Sequence, residues 1–153
     1  GTLLLEYNDK LYIVYIELKS GYNSVCSKAI YQIPTSSIKI KSSLRNFANY
    51  NPGEYNEIGL VVSFPPKESD KFDASNNEMV FTNKSQYISI QKSVENKFDK
   101  GFRIYGKINM CAADIPSLDQ SRLHNDIKFS SMDIYHHIVN DNNEQIDLTQ
   151  YLH

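Results

Sequence analysis

The chain opens on a nearly unbroken apolar stretch, and the spacing of hydrophobic positions changes character after it. Leu11-Tyr12-Ile13-Val14-Tyr15-Ile16 is apolar throughout and rich in β-branched and aromatic residues, the pattern of a strand buried on both faces. It ends in Glu17-Leu18-Lys19, where the alternation of a strand sets Glu17 and Lys19 on one face, about 6.5–7 Å apart along the chain. Residues 3–7, Leu-Leu-Leu-Glu-Tyr, precede it across the polar pair Asn8-Asp9, so residues 3–18 are expected to form a β-hairpin. From 22 to 50 the period becomes helical. Asn23 or Ser24 is the N-cap, and Val25, Ala29, Ile30 and Ile33 recur at three- and four-residue steps. Pro34 is expected to kink or break this helix, with a restart at Thr35 or Ser36 and a second half carried by Ile38, Ile40, Leu44, Phe47 and Ala48.

After the turn Asn51-Pro52-Gly53, residues 58–64 form another apolar strand, stopped by Pro65-Pro66. Two apolar strands joined by a helix predict a crossover that sets the second parallel to the first. Residues 67–78 are polar and aperiodic, an exposed loop, followed by a short strand at 79–81 and a helix within 86–98. Residues 101–110 alternate like a half-exposed strand, and 112–126 read as a loop. Residues 127–139 read as a long strand, with room for a bulge at Ser130-Ser131, and Ile146-Asp147-Leu148 as its antiparallel partner across the turn at 140–143. The fold class is therefore α/β (α+β): a mixed central β-sheet with flanking helices plus a C-terminal antiparallel hairpin. One domain spans 1–153, with 1–66 as the core hairpin, helix and strand.

Composition narrows the classes. The 153 residues are 41% hydrophobic and 12% aromatic, enough for a real core, and the net charge of −2 does not mark a dedicated non-specific nucleic-acid binder. Cys26 and Cys111 lie far apart without metal-ligand spacing, which suits thiols in a reducing compartment. No apolar run reaches the ~18 residues of a membrane span, so the expected location is cytoplasmic, with no membrane partner.

The candidate chemistry sits at the end of the second strand. A carboxylate there can hold Mg²⁺, which takes one or two carboxylates plus water and substrate phosphate, and a lysine two residues on can polarise water or steady a phosphoryl oxygen. The plainer alternative is an ion pair where a strand leaves the core. Glu17-Leu18-Lys19-Ser20-Gly21, followed by Lys28-Ala29-Ile30-Tyr31-Gln32-Ile33, resembles the PD-(D/E)XK nuclease superfamily, in which the strand ends in E-x-K and the next helix often carries a glutamine. The resemblance covers residues 3 to about 48. It implies a restriction-endonuclease-like core and a metal-dependent nuclease, a DNA endonuclease of restriction or repair type. Glu17 would be the ligand of Mg²⁺ or Mn²⁺, with Lys19 and Gln32 as the other catalytic residues. Cutting both strands of a duplex would suit a homodimer, although no residue demonstrates one.

One part of that pattern is missing. The superfamily needs a second acid on the preceding strand. With Asn8-Asp9 as the turn, Glu17 lies opposite the position before Gly1; with Asp9-Lys10, it lies opposite Thr2. Glu6 is about four residues away in register, roughly 13 Å, too far to share an ion, and Asp9 is a turn residue. Two expectations follow: the sequence starts just after that acid and an upstream helix, or the site is degenerate and binds without cutting.

Lys28, Lys39, Lys41 and Arg45 on the helix, and Arg103 and Lys107 beside Tyr105, are candidate contacts to a nucleic-acid backbone, although charges on the outer face of a helix or sheet need no ligand. His136-His137 invites a metal reading, but neighbouring strand residues point to opposite faces and cannot share one ion. No Gly-rich phosphate loop, nucleophile elbow or zinc spacing occurs. The alternatives to a nuclease are a non-catalytic, nuclease-like module that recognises nucleic acid or a protein partner, and a small structural or immunity-type protein.

Overall fold

The structure, a computed structural model, describes residues 1–20, 28–64, 104–115, 117–139 and 141–153. Its elements are β1 (Thr2–Tyr7), β2 (Lys10–Lys19), α1 (Ile30–Leu44), β3 (Tyr55–Ser63), β4 (Ile104–Cys111) and β5 (Ser131–Ile138). They build one mixed sheet in the order β1-β2-β3-β5-β4. β2, β3 and β5 run parallel in the middle, with β1 and β4 antiparallel at the two sides. The α+β class is as expected, and so is the parallel placement of residues 58–63 beside β2.

The hairpin follows from its turn. Asn8 and Asp9 both have positive φ, 49° and 58°, which short polar side chains tolerate and a two-residue turn between twisted strands requires. Tyr7 therefore pairs with Lys10, and the register runs out to Thr2 opposite Tyr15. On β2, Tyr12, Ile13, Val14 and Tyr15 are all buried, two on each face.

On one face Ile13, Tyr15, Val61 and Ile134 pack against Ile33 of α1 and against Ile115 and Phe129 of the β4–β5 connection. On the other, Tyr12, Val14, Leu60, Val62 and Tyr135 are covered by Tyr151 and Leu152. The helix reaches the sheet over Gly59, where a Cβ would stand 2.8 Å from Ile134 Cγ1 and 2.9 Å from Ile33 Cγ2. Absence of a side chain there lets Ile33 become fully buried, a gain of about 1.5–3 kcal/mol for such a side chain.

Several expectations need correction. Pro34 neither kinks nor breaks the helix, which runs through it. It is the fifth helical residue, so the rung it forfeits is the one to the first residue, and its ring is buried instead. The helix also stops at Leu44, leaving Phe47 68% exposed. Residues 127–130 precede β5 rather than belong to it, with a 3-10 turn at Asn125–Ile127. The ladder irregularity falls in β4, between Ile104 and Gly106, not at Ser130-Ser131.

The C-terminal hairpin does not form. Both edges of β5 are taken, by β3 and β4, so residues 146–148 have no ladder to join. They cross the face of the sheet instead and enter a 3-10 turn at Leu148–Tyr151, begun by Asp147 Oδ1 accepting from the Thr149 N–H at 2.9 Å. Flanking helices reduce, among the described residues, to α1 on one face. The expected N-cap at Asn23 or Ser24, the loop at 67–78, the strand at 79–81 and the helix within 86–98 lie outside the described residues.

Candidate functional site

The parallel strands β2, β3 and β5 end at the same edge of the sheet, the edge where open α/β sheets place ligands. Polar side chains enter there among apolar ones: Glu17 and Lys19 on β2, Ser63 on β3, and His136 and His137 on β5, the last two followed by the buried Ile138 and Val139. On β2, Glu17 and Lys19 follow Tyr15 on the helix-facing side. Val61 and Ser63 are their rung partners on β3, and His136 and Ile138 stand opposite those two on β5.

Glu17, Lys19 and Gln32 meet. Lys19 Nζ lies 3.5 Å from Glu17 Oε2 and donates to Gln32 Oε1 at 2.5 Å. The side chains of Lys19 and Glu17 are only 16% and 22% exposed. Gln32 reaches the end of β2 because α1 begins at Ile30 and Ile33 anchors its first turns over Gly59.

No aspartate joins them from β1. The last rung on that side is Gly1–Ile16, with the Ile16 N–H donating to Gly1 O at 2.8 Å, one residue short of Glu17. Glu6 pairs with Leu11, six residues and about 20 Å down β2 from Glu17, farther than the four expected. Among the described residues no group of three or more His, Cys, Asp or Glu side chains converges as a metal site.

Ser63 and His136 are polar neighbours that the sequence reading missed. Ser63 Oγ is 2.8 Å from His136 Nε2 and donates to the Phe64 carbonyl at 3.0 Å, and both residues are buried. A hydroxyl whose one proton is spent on that carbonyl presents a lone pair to Nε2–H. Burial, with His137 beside it, pushes the His136 imidazole down to about 3, so the ring is neutral. His137 faces the other side of the sheet, where its Nδ1 meets the Tyr151 hydroxyl and its Nε2 lies 4.0 Å from Glu144 Oε1. The two imidazoles lie on opposite faces of the sheet, as alternation requires.

The candidate backbone contacts do not form one surface. Lys28 and Lys39 are exposed. Lys41 corrects the expectation: it is 6% exposed and turned inward, donating to Glu57 Oε2 at 3.0 Å and to the Lys128 carbonyl at 2.9 Å. Glu57 Oε1 also accepts from the Tyr15 hydroxyl at 2.6 Å and from Ser37 at 2.8 Å, so the carboxylate ties β2, β3 and α1 together. Burial and then Glu57 push the Tyr15 hydroxyl well above its ordinary range, and the same two causes push Tyr50 up to about 12. Arg45 stands 4.0 Å from Asp126. Lys107 is 2.7 Å from Asp133 and 5.4 Å from the centre of the Tyr135 ring. Arg103 lies outside the described residues.

A cavity of about 350 Å³ opens at the same edge, on the face away from the helix. Its floor is apolar, with Leu18, Val62, Phe64, Val139 and Ile146. Lys19, Ser63, Asp141 and Glu144 also border it.

Together these features define an α+β protein whose described residues build a five-stranded mixed sheet with a charged, partly enclosed carboxyl edge. No family model, no curated protein and no solved structure matches the chain. Among the described residues no helix is long and apolar enough to cross a membrane.

Proposed function

We propose that the edge formed by Glu17, Lys19 and Gln32 is a phosphate-handling site of the PD-(D/E)XK nuclease type, acting on nucleic acid, with DNA as the substrate and Mg²⁺ or Mn²⁺ as cofactor. The observation that carries this reading is the convergence of the three side chains: Lys19 Nζ is 3.5 Å from Glu17 Oε2 and 2.5 Å from Gln32 Oε1. Nothing in the E-x-K spacing alone requires a glutamine from the next helix to reach that lysine.

The donor chemistry fits a hard divalent cation at its lower limit, since Glu17 offers one partly exposed carboxylate and Mg²⁺ fills its other positions with water and substrate phosphate. Such a cation supplies Lewis-acid polarisation of a phosphoryl oxygen and a more acidic bound water. Glu17 would hold it. Lys19 offers a fixed positive charge; Glu17 and Gln32 account for two of the three ammonium donor directions, leaving one for a phosphoryl oxygen. Gln32 keeps that ammonium in place.

A second reading is favoured by a different observation: among the described residues no group of three or more His, Cys, Asp or Glu side chains converges as a metal site. It is a non-catalytic module that binds nucleic acid or a protein partner through the same edge. Calorimetric titration with Mg²⁺ and Mn²⁺, paired with a cleavage assay on duplex DNA, decides between them. Metal binding and cleavage that both vanish in Glu17→Ala support the nuclease. DNA binding without metal uptake or cleavage supports the module, and neither metal nor DNA binding removes the nuclease and leaves the module only a protein partner.

A further inference from the structure

We propose that the outer edge of β1 pairs with the same edge of a second copy of this chain, antiparallel and centred on Leu4, so that two sheets join into one. The inference goes beyond the reading of Glu17, Lys19 and Gln32 and does not depend on it.

The phase of the β1–β2 ladder decides which backbone groups are left over. The Ile16 N–H donates to Gly1 O at 2.8 Å, which makes Gly1–Ile16 a hydrogen-bonded pair. Such pairs alternate in an antiparallel ladder, so Leu3–Val14, Leu5–Tyr12 and Tyr7–Lys10 are the other bonded rungs. The N–H and C=O groups of Thr2, Leu4 and Glu6 therefore point away from β2. β1 ends the strand order, and among the described residues no strand takes those groups. Sheets commonly guard such an edge with lysine, proline or a bulge. Thr2–Tyr7 contains neither lysine nor proline, and its ladder with β2 runs without a register shift. Apolar surface stands there instead, with Leu3 43% and Leu4 56% exposed.

The edge is complementary to itself. A two-fold axis at Leu4 sets Leu4 opposite its own copy and Thr2 opposite the second copy's Glu6, leaving none of the outward N–H and C=O groups of Thr2, Leu4 and Glu6 unpaired. Centring on Leu3 strands Glu6, and centring on Leu5 sets Thr2 against the turn residue Asn8, whose φ is 49°. Centring on Glu6 would place carboxylate against carboxylate. Leu4 pairs with Ile13 and so shares the helix-bearing face, where the two copies of Leu4 would meet. On the other face Leu3 meets the second copy's Leu5. The contact is isologous and uses up the edge, so it closes at two chains. Six residues span only about 20 Å, which puts the pairing among weak, concentration-dependent interfaces, with Kd about 10–100 µM.

The test is sedimentation equilibrium over a range of concentrations, paired with amide hydrogen exchange. The mass should rise from one chain to two across that range. The Thr2, Leu4 and Glu6 amides should exchange several-fold more slowly in concentrated than in dilute protein, while those of Leu3 and Leu5, already bonded to β2, change little. Leu4→Lys and Leu4→Glu, at an exposed position, set like charges across the axis and should each weaken association about tenfold or more. Mixing the two variants should restore it. A single chain mass up to about 1 mM would overturn the proposal. So would a dimer whose Thr2, Leu4 and Glu6 amides exchange as in dilute protein, one that neither substitution weakens, or charge variants that stay apart when mixed. The exchange measurement needs no variant, and neither readout involves metal or nucleic acid.

Discussion

Ile33 occupies the space that a side chain on Gly59 would need: a Cβ there would lie 2.9 Å from its Cγ2. Ile134 closes the other side at 2.8 Å, and both isoleucines are buried, so a Cβ there would force one of them to shift within the core. Gly59→Ala should therefore destabilise the protein by about 1–3 kcal/mol, the usual range for an overfilled core. Urea unfolding checks the stability. Since Ile33 is adjacent to Gln32, the same variant should also disturb the Lys19–Gln32 contact, visible in the Gln32 side-chain amide resonance.

Lys19→Ala and Gln32→Ala should separate stability from function. Their contact is at the surface and one member of a partly exposed ion pair, so each loss should change unfolding free energy by no more than about 1 kcal/mol. Affinity for a DNA duplex at low salt should fall several-fold in both. A large loss of stability with unchanged DNA affinity would make the cluster a strut.

Lys41 should behave in the opposite way. Removing its ammonium in Lys41→Ala leaves the Glu57 carboxylate without its cation and the Lys128 carbonyl without a donor, which should cost about 3 kcal/mol or more. Lys39→Ala, at an exposed position two residues away, should stay within about 0.5 kcal/mol. Thermal unfolding of the two variants side by side makes the comparison.

His136 predicts a pH dependence of stability. Its imidazole is held down to about 3 in the fold and titrates near 6.5 when unfolded, so between those values the unfolded chain binds the extra proton. Stability should fall as pH drops from about 6.5 toward 3. His136→Gln, which keeps an N–H for Ser63 and cannot titrate, should flatten the slope between about pH 6.5 and 4.5, above the range in which carboxylates dominate. Denaturant midpoints measured across that window provide the check. An equal slope in both proteins would assign the dependence to other groups.

The parts of this molecule legible in the sequence are those governed by local chemistry. Asn8-Asp9 marks a hairpin turn, although the sequence left two registers open and the positive φ of both residues settles it, and the apolar runs at 11–16 and 58–62 mark central strands because both of their faces are filled. Lys41 was readable in principle: Ile33, Ser37 and Lys41 fall on one helical stripe, four residues apart, and all three are buried. Its charge, taken as a sign of an outer face, outweighed that periodicity. The Ser63–His136 pair and the cavity depend on which strands lie side by side, and no short-range pattern carries that. The C-terminal hairpin failed for the same reason. Ile146-x-Leu148 alternates like a strand, but the occupied edges of β5 cannot be seen from residues 140–148.

The seat of β5 between β3 and β4 also sets an order of events during synthesis. β1, β2, α1 and β3 can associate early, yet Ile58 must wait for Asp133, and Ser63 for Ile138, before the sheet has a middle. Until residue 138 has left the ribosome, the unpaired N–H and C=O groups along that edge of β3 stay open to any strand that meets them. Closing that gap over such a long stretch of chain makes folding slow, and the half-built sheet is the species most exposed to self-association.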